Sequence, residues 1–177
     1  MKLNLGCGTD VKKGWVNLDR VGEKGVDVVH DLNELPLPFG DRVFESVYAS
    51  HIFEHLMNWP DVLLDCHRVL KPKGVITVRV PYGVGPQNPY ALHVRFFWPG
   101  TMDLFTMPKP KNGSPGSDAH KYNGTFMIIK RKTMRMLWFH WHIGHYLGFW
   151  FFEKFKYRIP PIGEKKEIVW VMRKVGA

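Results

Sequence analysis

The chain has 177 residues, of which 45% are hydrophobic and 23% charged, a composition that is typical of one globular domain and excludes a disordered chain. Two cysteines, Cys7 and Cys66, are too few for a disulfide framework, and the start lacks a signal-peptide pattern, so we expect a cytoplasmic protein. The net charge of +9 is uneven, since residues 1–90 carry 10 Lys and Arg against 11 Asp and Glu, whereas residues 91–177 carry 15 against 5.

In the first half of the chain, short apolar runs between turns predict strands over residues 1–5, 15–18, 26–29, 43–49 and 75–80. Residues 61–70 predict an amphipathic helix, because their apolar side chains fall on one face. Two prolines within residues 35–40 exclude regular structure there. Strands that alternate with helices favour an α/β fold with a doubly wound, mostly parallel sheet.

The second half predicts loops followed by a helix and two strands. Residues 81–125 are rich in proline and glycine, so we expect irregular loops on the surface or over a site. Residues 130–143 predict a helix, since Met134, Leu137 and two tryptophans fall on one helical face. Residues 148–157 and 167–175 predict two closing strands that pair as an antiparallel hairpin.

Glycines and carboxylates follow the predicted strands at the edge where a parallel sheet binds ligands. Gly6-Cys7-Gly8 comes directly after the first strand, where glycine permits close backbone approach to a ligand. A dinucleotide fingerprint would need a small residue where Val11 stands, so NAD is disfavoured. Asp19 ends the second strand and can accept hydrogen bonds from ribose hydroxyls, while Asp31 ends the third and can accept one from an adenine amino group. Ordinary turns are the alternative at each position.

Five motifs in this order resemble the class I S-adenosylmethionine-dependent methyltransferases, and within them the ubiquinone-biosynthesis-like methyltransferase domain: residues 3–8, 14–19, 31–39, 50–56 and 68–74. The resemblance implies S-adenosylmethionine as cofactor and methyl transfer as the reaction. It implies that the backbone of the glycine turn lies along the methionine part and that Asp19 holds the ribose. The cofactor contacts implied by the resemblance are those of Gly6, Cys7, Gly8, Asp19, Asp31, Leu32, Ser50 and His51.

One feature departs from this family. Only residues 9–14 separate the glycine turn from Trp15, where the family has a full helix and where a parallel crossover usually takes a dozen or more residues. We therefore expect a Rossmann-like sheet without its first crossover helix. The expected organisation is a single methyltransferase domain over 1–177, with a cofactor-binding half (1–80), substrate loops (81–125) and a closing helix and strands (126–177).

Three histidines are candidates for the general base that a hydroxyl or protonated amine acceptor requires: His51, His55 and His93. The segment around His93 resembles a loop that closes over the site in some relatives, so His93 can also contact the substrate, with Arg95 as a clamp for an anionic group. The alternative of equal weight is that both side chains only hold the loop in place.

No metal is expected. His51-x-x-Glu54-His55 matches a zinc-peptidase pattern, but that pattern needs a long helix, and here it follows a predicted strand and stops at Trp59-Pro60.

The expected acceptor is a small molecule, a glycan or a lipid-linked precursor. The basic second half predicts peripheral contact with an anionic membrane through Lys130, Arg131, Lys132 and Arg135. Nucleic acid is disfavoured, because no Asn/Asp-Pro-Pro-Tyr-type base-flipping motif is present. The alternative from another functional class is a non-catalytic module on the same fold that binds a membrane or nucleic acid. The sequence does not indicate an oligomeric state.

Overall fold

The computed structural model describes residues 1–82, 93–106, 122, 124–137 and 164–176. These residues contain two helices, α1 (Trp59–Val69) and α2 (Asp103–Thr106), and a 3-10 turn (Phe53–His55). They also contain seven strands: β1 (Lys2–Leu5), β2 (Val16–Asp19), β3 (Val28–Val29), β4 (Phe44–Ser50), β5 (Leu70–Pro81), β6 (Phe126–Leu137) and β7 (Glu164–Lys174).

The strands form one sheet in the order β3-β2-β1-β4-β5-β7-β6. All pairings from β3 to β5 are parallel, and β7 lies antiparallel between β5 and β6. The prediction of a Rossmann-like, mostly parallel sheet with a C-terminal antiparallel hairpin is confirmed. Because β1 to β4 run in the same direction, their carboxyl ends lie along one edge of the sheet.

Helix α1 packs against the sheet with the apolar face that its sequence predicts. Val62, Leu63, Cys66 and Val69 are buried. Pro60 lies in the first turn, where its missing N–H removes no intrahelical hydrogen bond. The helix thereby fixes the segment that enters it, which includes the 3-10 turn. No helix in the described part of the chain is long and apolar enough to cross a membrane.

The connection from β1 to β2 contains no helix, as predicted, and two buried asparagines organise it. Asn17 Oδ1 accepts hydrogen bonds from Asn4 Nδ2 at 3.0 Å and from the Lys12 N–H at 2.8 Å. Asn17 Nδ2 donates to the carbonyls of Lys12 and Trp15 at 3.1 and 3.3 Å, and Asn4 donates to the Asp10 carbonyl at 2.7 Å. The side-chain amides thus make hydrogen bonds with backbone groups of a loop that is too short to form a helix.

The prediction of a helix over 130–143 is wrong for residues 130–137, which belong to β6. This strand pairs with β7 from Phe126↔Lys174 to Leu137↔Glu164, with one register shift between Ile128 and Lys130. Phe126 is 2% exposed and Met127 is 48% exposed, so the strand begins with the alternation typical of an edge strand. Hydrogen bonds to a distant strand therefore outweigh the local helical pattern. Residues 138–143 lie outside the described chain.

The predicted pairing of residues 148–157 with 167–175 is also wrong. Both edges of β7 are occupied over residues 167–173, by β5 on one side and by β6 on the other. The hairpin partner of β7 is therefore β6. Residues 148–157 themselves lie outside the described chain, as do 83–92 and 107–121 of the predicted substrate loops. The described parts of those loops hold α2 and an isolated bridge between Tyr82 and Phe97.

Candidate active site

A cleft of about 420 Å³ opens at the edge of the sheet where β1 to β4 end. Its wall contains five residues that the sequence predicts as site residues: Gly6, Asp19, Asp31, Leu32 and His55. It also contains five that sequence reasoning missed: Arg20, His30, Asn33, Ile52 and Leu56. Each missed residue directly adjoins a predicted one in the sequence. They could therefore have been predicted by including the neighbours of the residues at the strand ends.

The glycine turn after β1 has two positions with positive φ, Gly6 at +61° and Gly8 at +46°, a conformation that favours glycine. A Cβ on Gly6 would lie 2.6 Å from Ile52 Cγ1, so only glycine fits at this position without a steric clash. A Cβ on Gly8 would meet no atom of the described chain within 4 Å. The turn is therefore packed against the protein at Gly6 and open at Gly8.

Asp19 is held by two backbone N–H groups. The Gly8 N–H donates to Oδ2 at 2.8 Å and the Val21 N–H donates to Oδ1 at 3.1 Å. Each carboxylate oxygen can accept more than one hydrogen bond, so both retain acceptor capacity. Asp19 thus ties the glycine turn to the end of β2 and presents a fixed pair of acceptors at the cleft.

Asp31 lies at the opposite part of the predicted cofactor site, after β3. Its Oδ1 accepts hydrogen bonds from the backbone N–H and the side-chain Nδ2 of Asn33, at 2.8 and 2.9 Å. The backbone hydrogen bond is the main reason that the pKa of Asp31 is lowered. Leu32, which follows, is 5% exposed. An ionised carboxylate beside an apolar side chain suits a flat ring that carries an amino group.

Four of the predicted cofactor-binding residues do not line the cleft: Cys7, Gly8, Ser50 and His51. The Cys7 side chain is buried, and desolvation raises the pKa of its thiol. Ser50 ends β4. The predicted substrate residues His93 and Arg95 also lie outside the cleft wall, and Arg95 donates a hydrogen bond to the Met57 carbonyl at 3.3 Å.

His51 adopts a left-handed φ of +54° and contacts two buried carboxylates. Its Nε2 lies 2.8 Å from Glu167 Oε1, and its Nδ1 lies 3.3 Å from Glu54 Oε1. Arg79 donates to the second oxygen of Glu167 at 2.7 Å. Sequence reasoning missed Glu167, because it comes 116 residues after His51.

These contacts set the charge of His51. The hydrogen bond with Glu167, reinforced by Glu54, raises the pKa of His51 to about 9. The same hydrogen bond, with that from Arg79, lowers the pKa of Glu167 to about 2. His51 is therefore protonated at neutral pH, and a group that already holds its proton is not suited to be a general base. His55 and His93 remain as candidates.

His55 and His93 come together because the loop after β5 packs on the 3-10 turn. The N–H groups of Val94 and Arg95 donate to the Glu54 carbonyl at 2.9 and 3.1 Å. The rings of His55 and His93 meet edge to face with centroids 4.8 Å apart. Since His55 also lines the cleft, the structure connects His93 and Glu54 to the cleft through His55.

Comparisons with known proteins identify the class of this fold. Residues 3–78 match the family model described as a methyltransferase domain. Over this segment, which is less than half of the chain, the protein is similar to methyltransferase domains. The matched residues span β1 to β5 and therefore include every strand end that borders the cleft. The ubiquinone-biosynthesis-like branch stays a prediction, and no curated protein gives a significant match.

Solved structures with the same fold cover nearly the whole chain. A SAM-dependent methyltransferase from Archaeoglobus fulgidus is 15% identical with a TM-score of 0.59, over 98% of this chain and 85% of that one. The methyltransferase in complex with the Trm112 activator of Haloferax volcanii is 13% identical with a TM-score of 0.60, over 99% and 82%. A Burkholderia thailandensis 1,6-didemethyltoxoflavin-N1-methyltransferase with 1,6-didemethyltoxoflavin and S-adenosylhomocysteine bound is 16% identical with a TM-score of 0.55, over 99% and 71%. At these identities the likeness shows the fold.

Proposed function

We propose that the cleft binds S-adenosylmethionine and that the protein is a methyltransferase that acts on a proton-bearing oxygen or nitrogen of a small molecule. The observation that carries the proposal is the position of His55, which lies in the same cleft wall as Gly6, Asp19 and Asp31. An ionisable side chain thus borders the space that the cofactor residues enclose.

The residues of the cleft fit the cofactor. Asp19 offers two fixed acceptors for ribose hydroxyls, and Asp31 with Leu32 suits the adenine edge. The glycine turn has open space at Gly8 for the methionine part. When bound, the cofactor supplies a methyl group on a sulfonium, which is a good leaving group, so most of the protein's contribution is to position the acceptor.

The acceptor side of the cleft is formed by His55 with the apolar side chains of Ile52 and Leu56. Two apolar residues and one imidazole suit a compact, partly apolar molecule. A hydroxyl or protonated amine must lose its proton before or during methyl transfer, and His55 is the side chain placed to promote that loss. The Burkholderia thailandensis neighbour, which has a small molecule bound, is consistent with such an acceptor on this fold.

The position of His55 also indicates which parts of the chain bind the cofactor and which bind the acceptor. Residues 1–80 hold the cofactor, and the segment that starts at His93 belongs to the acceptor side, since it packs on the 3-10 turn next to His55. Residues 126–137 and 164–176 close the sheet.

The test separates cofactor binding from methyl transfer. S-adenosylhomocysteine at about 100 times its dissociation constant should stabilise the protein by about 2.7 kcal/mol, seen as a rise in melting temperature, whereas NAD should have no effect. A panel of small phenols and amines is then screened for S-adenosylhomocysteine release. His55→Ala should keep the thermal shift and lose about 10²–10⁴-fold in turnover.

His67→Ala is the matched control, because His67 is a half-buried histidine at the other end of α1, hydrogen bonded to the Val175 carbonyl at 2.9 Å. It should leave both measurements unchanged. Absence of any thermal shift with S-adenosylhomocysteine would contradict the cofactor assignment, and full turnover by His55→Ala would contradict the role of His55.

A second candidate function is peripheral contact with an anionic membrane, and the edge strand β6 favours it. Met127 and Ile129 are 48% and 46% exposed, and the exposed Lys130 and Lys132 follow them on the same strand. Each basic residue near an anionic surface contributes about 1 kcal/mol. Lys130→Glu with Lys132→Glu should therefore abolish co-sedimentation with phosphatidylserine vesicles.

The control for the vesicle test changes Lys13 and Lys24 to glutamate. Both are exposed in the near-neutral half of the chain. This variant should sediment like the wild type. If the wild type does not bind vesicles at about 0.1 M salt, the basic edge is only a solvated surface.

A further inference from the structure

We propose that Glu54, His55 and His93 form a binding site for one divalent cation of the zinc type beside the cofactor cleft. The three residues offer one carboxylate oxygen and two imidazole nitrogens, and these atoms all lie within 4.8 Å of one another. Two histidines and a glutamate are a donor set that binds zinc in catalytic sites.

The backbone holds the three side chains in fixed relative positions. Glu54 and His55 are neighbours in the 3-10 turn. The two hydrogen bonds from the N–H groups of Val94 and Arg95 to the Glu54 carbonyl attach the preceding residue, His93, to the same turn. A site on a short turn and a loop is thereby braced by main-chain hydrogen bonds, which is the support that a preorganised site requires.

The carboxylate of Glu54 is the second, independent observation. Its side chain is 1% exposed, and neither of its oxygens accepts a hydrogen bond. His51 Nδ1 lies 3.3 Å away, but its direction is not that of a hydrogen bond, so the contact is one of charge alone. Buried carboxylates are normally paired or coordinate a metal. The ion-pair contacts of Glu54 Oε1 are with His51 Nδ1 at 3.3 Å and His93 Nε2 at 4.0 Å, and a cation between Glu54 and the two imidazoles would add the direct bond that the carboxylate lacks.

The distances require only side-chain movement. Zinc binds nitrogen and carboxylate oxygen at about 2.0–2.2 Å, which puts tetrahedral ligand atoms about 3.4 Å apart. The most distant pair must therefore close by up to about 1.4 Å. Neither imidazole is fully buried, so rotation about the side-chain bonds of His55 and His93 can provide this closure.

His51 acts in this site as a positioning residue rather than as a ligand. Its ring is held by Glu167 on one side and faces the Glu54 carboxylate on the other. Outer partners of this kind orient a ligand and tune a metal site. Three protein ligands leave one position open, and because His55 lines the cleft, that position faces the acceptor side.

A role of the cation in methyl transfer rests on the proposed function, whereas the binding of the cation is independent of that function. A zinc ion lowers the pKa of a hydroxyl placed at its open position. During methyl transfer the acceptor oxygen loses its proton to solvent and bonds to the methyl carbon. The C–S bond of the sulfonium breaks with its electron pair on sulfur, and the product is S-adenosylhomocysteine. His55 would then promote proton loss as a ligand.

The experiment is a titration of the tag-free, chelator-treated full chain with ZnCl₂, followed by calorimetry and by the visible spectrum with Co²⁺. We expect one Zn²⁺ per chain and a tetrahedral Co²⁺ spectrum. His55→Ala and His93→Ala should each weaken Zn²⁺ binding by about 100-fold or more, and His51→Ala by about 10–100-fold. His67→Ala should bind Zn²⁺ like the wild type. Circular dichroism verifies that each variant is folded.

Two outcomes would overturn the proposal: a wild-type chain that takes up no Zn²⁺, or His55→Ala and His93→Ala variants that bind it like the wild type. The two proposals fail separately. Zn²⁺ binding without a thermal shift from S-adenosylhomocysteine refutes the proposed function alone, and a thermal shift without Zn²⁺ binding refutes the metal site alone.

Discussion

The loop that replaces the first crossover helix depends on one side chain, and Asn17→Ala tests that dependence. Asn17 is 3% exposed and lies in β2, where its side chain contacts Asn4, Lys12, Trp15 and Asp27. Its amide accepts two hydrogen bonds and donates three. The substitution to alanine removes all five and leaves the backbone of β2 unchanged.

The expected loss of unfolding free energy follows from the backbone groups that are left without a hydrogen-bond partner. The N–H of Lys12 and the carbonyl of Trp15 lose these hydrogen bonds. The carbonyl of Lys12 keeps the Trp15 N–H at 3.2 Å, Asn4 keeps its hydrogen bond to Asp10, and Asp27 keeps that from the backbone N–H of residue 17. A buried polar group without a partner costs about 1–3 kcal/mol. Because the loop is only partly buried, water can reach these two groups, and we expect a total of about 2–4 kcal/mol.

Urea unfolding measures this difference, with Asn33→Ala as the matched control. Asn33 also bonds a nearby aspartate, but its contacts are exposed, so its loss should stay within about 0.5 kcal/mol. S-adenosylhomocysteine binding by Asn17→Ala should weaken as well, since the loop continues from the glycine turn. If Asn17→Ala unfolds within about 1 kcal/mol of the wild type, the asparagine network does not hold the loop.

Three further predictions concern the cleft and the cluster beside it. Asp19→Ala should weaken S-adenosylhomocysteine binding by about 1.5–3 kcal/mol, or ten- to a hundredfold, because a charged acceptor is lost; calorimetry checks this with Glu23→Ala as control, and normal binding would place the ribose elsewhere. Gly6→Ala should destabilise more than Gly8→Ala in urea, since both need positive φ but only Gly6 faces Ile52 at 2.6 Å, and equal losses would contradict this packing. Glu167→Gln should be less stable than the wild type at pH 6. The pKa of Glu167 is lowered from 4.5 to about 2, so its contribution is present above pH 4.5 and is lost as the pH falls towards 2. The difference in unfolding free energy should therefore shrink over that range, and a constant difference would contradict the assignment.

The cofactor side of the fold was predictable because its signals are local. In β1 and β2 an apolar run ends in glycine or aspartate, so the strand and the ligand-facing residue are read from adjacent positions. The predicted third strand, residues 26–29, is shorter in the structure. The Asp27 carboxylate accepts the Asn17 N–H at 2.7 Å, a donor that a longer β3 would otherwise use, and strand pairing begins at Val28.

The C-terminal part was predicted less well because its structure depends on distant partners. Residues 130–137 carry a pattern that fits one face of a helix, yet their hydrogen bonds go to β7, which starts at Glu164. Propensity for strands depends strongly on such neighbours, and a single sequence does not show which strand will be next to which. The basic residues of this segment were placed in a helix, whereas they belong to an edge strand, and their contact with a membrane stays a prediction.

The cluster beside the cleft shares Glu54 and His55 with the zinc-peptidase pattern, which the sequence analysis rejected because that pattern needs a long helix. In a helix, His51 and His55 of the H-x-x-E-H pattern would lie on one face and bind the same ion. Here His51 has a left-handed φ, which ends the regular chain after β4 and directs the ring to Glu167. The pattern therefore loses one histidine, and His93, from the loop after β5, lies where a third ligand is needed. Two residues of the proposed cation site thus belong to the pattern, while the backbone angle of His51 directs the third residue of the pattern away from them.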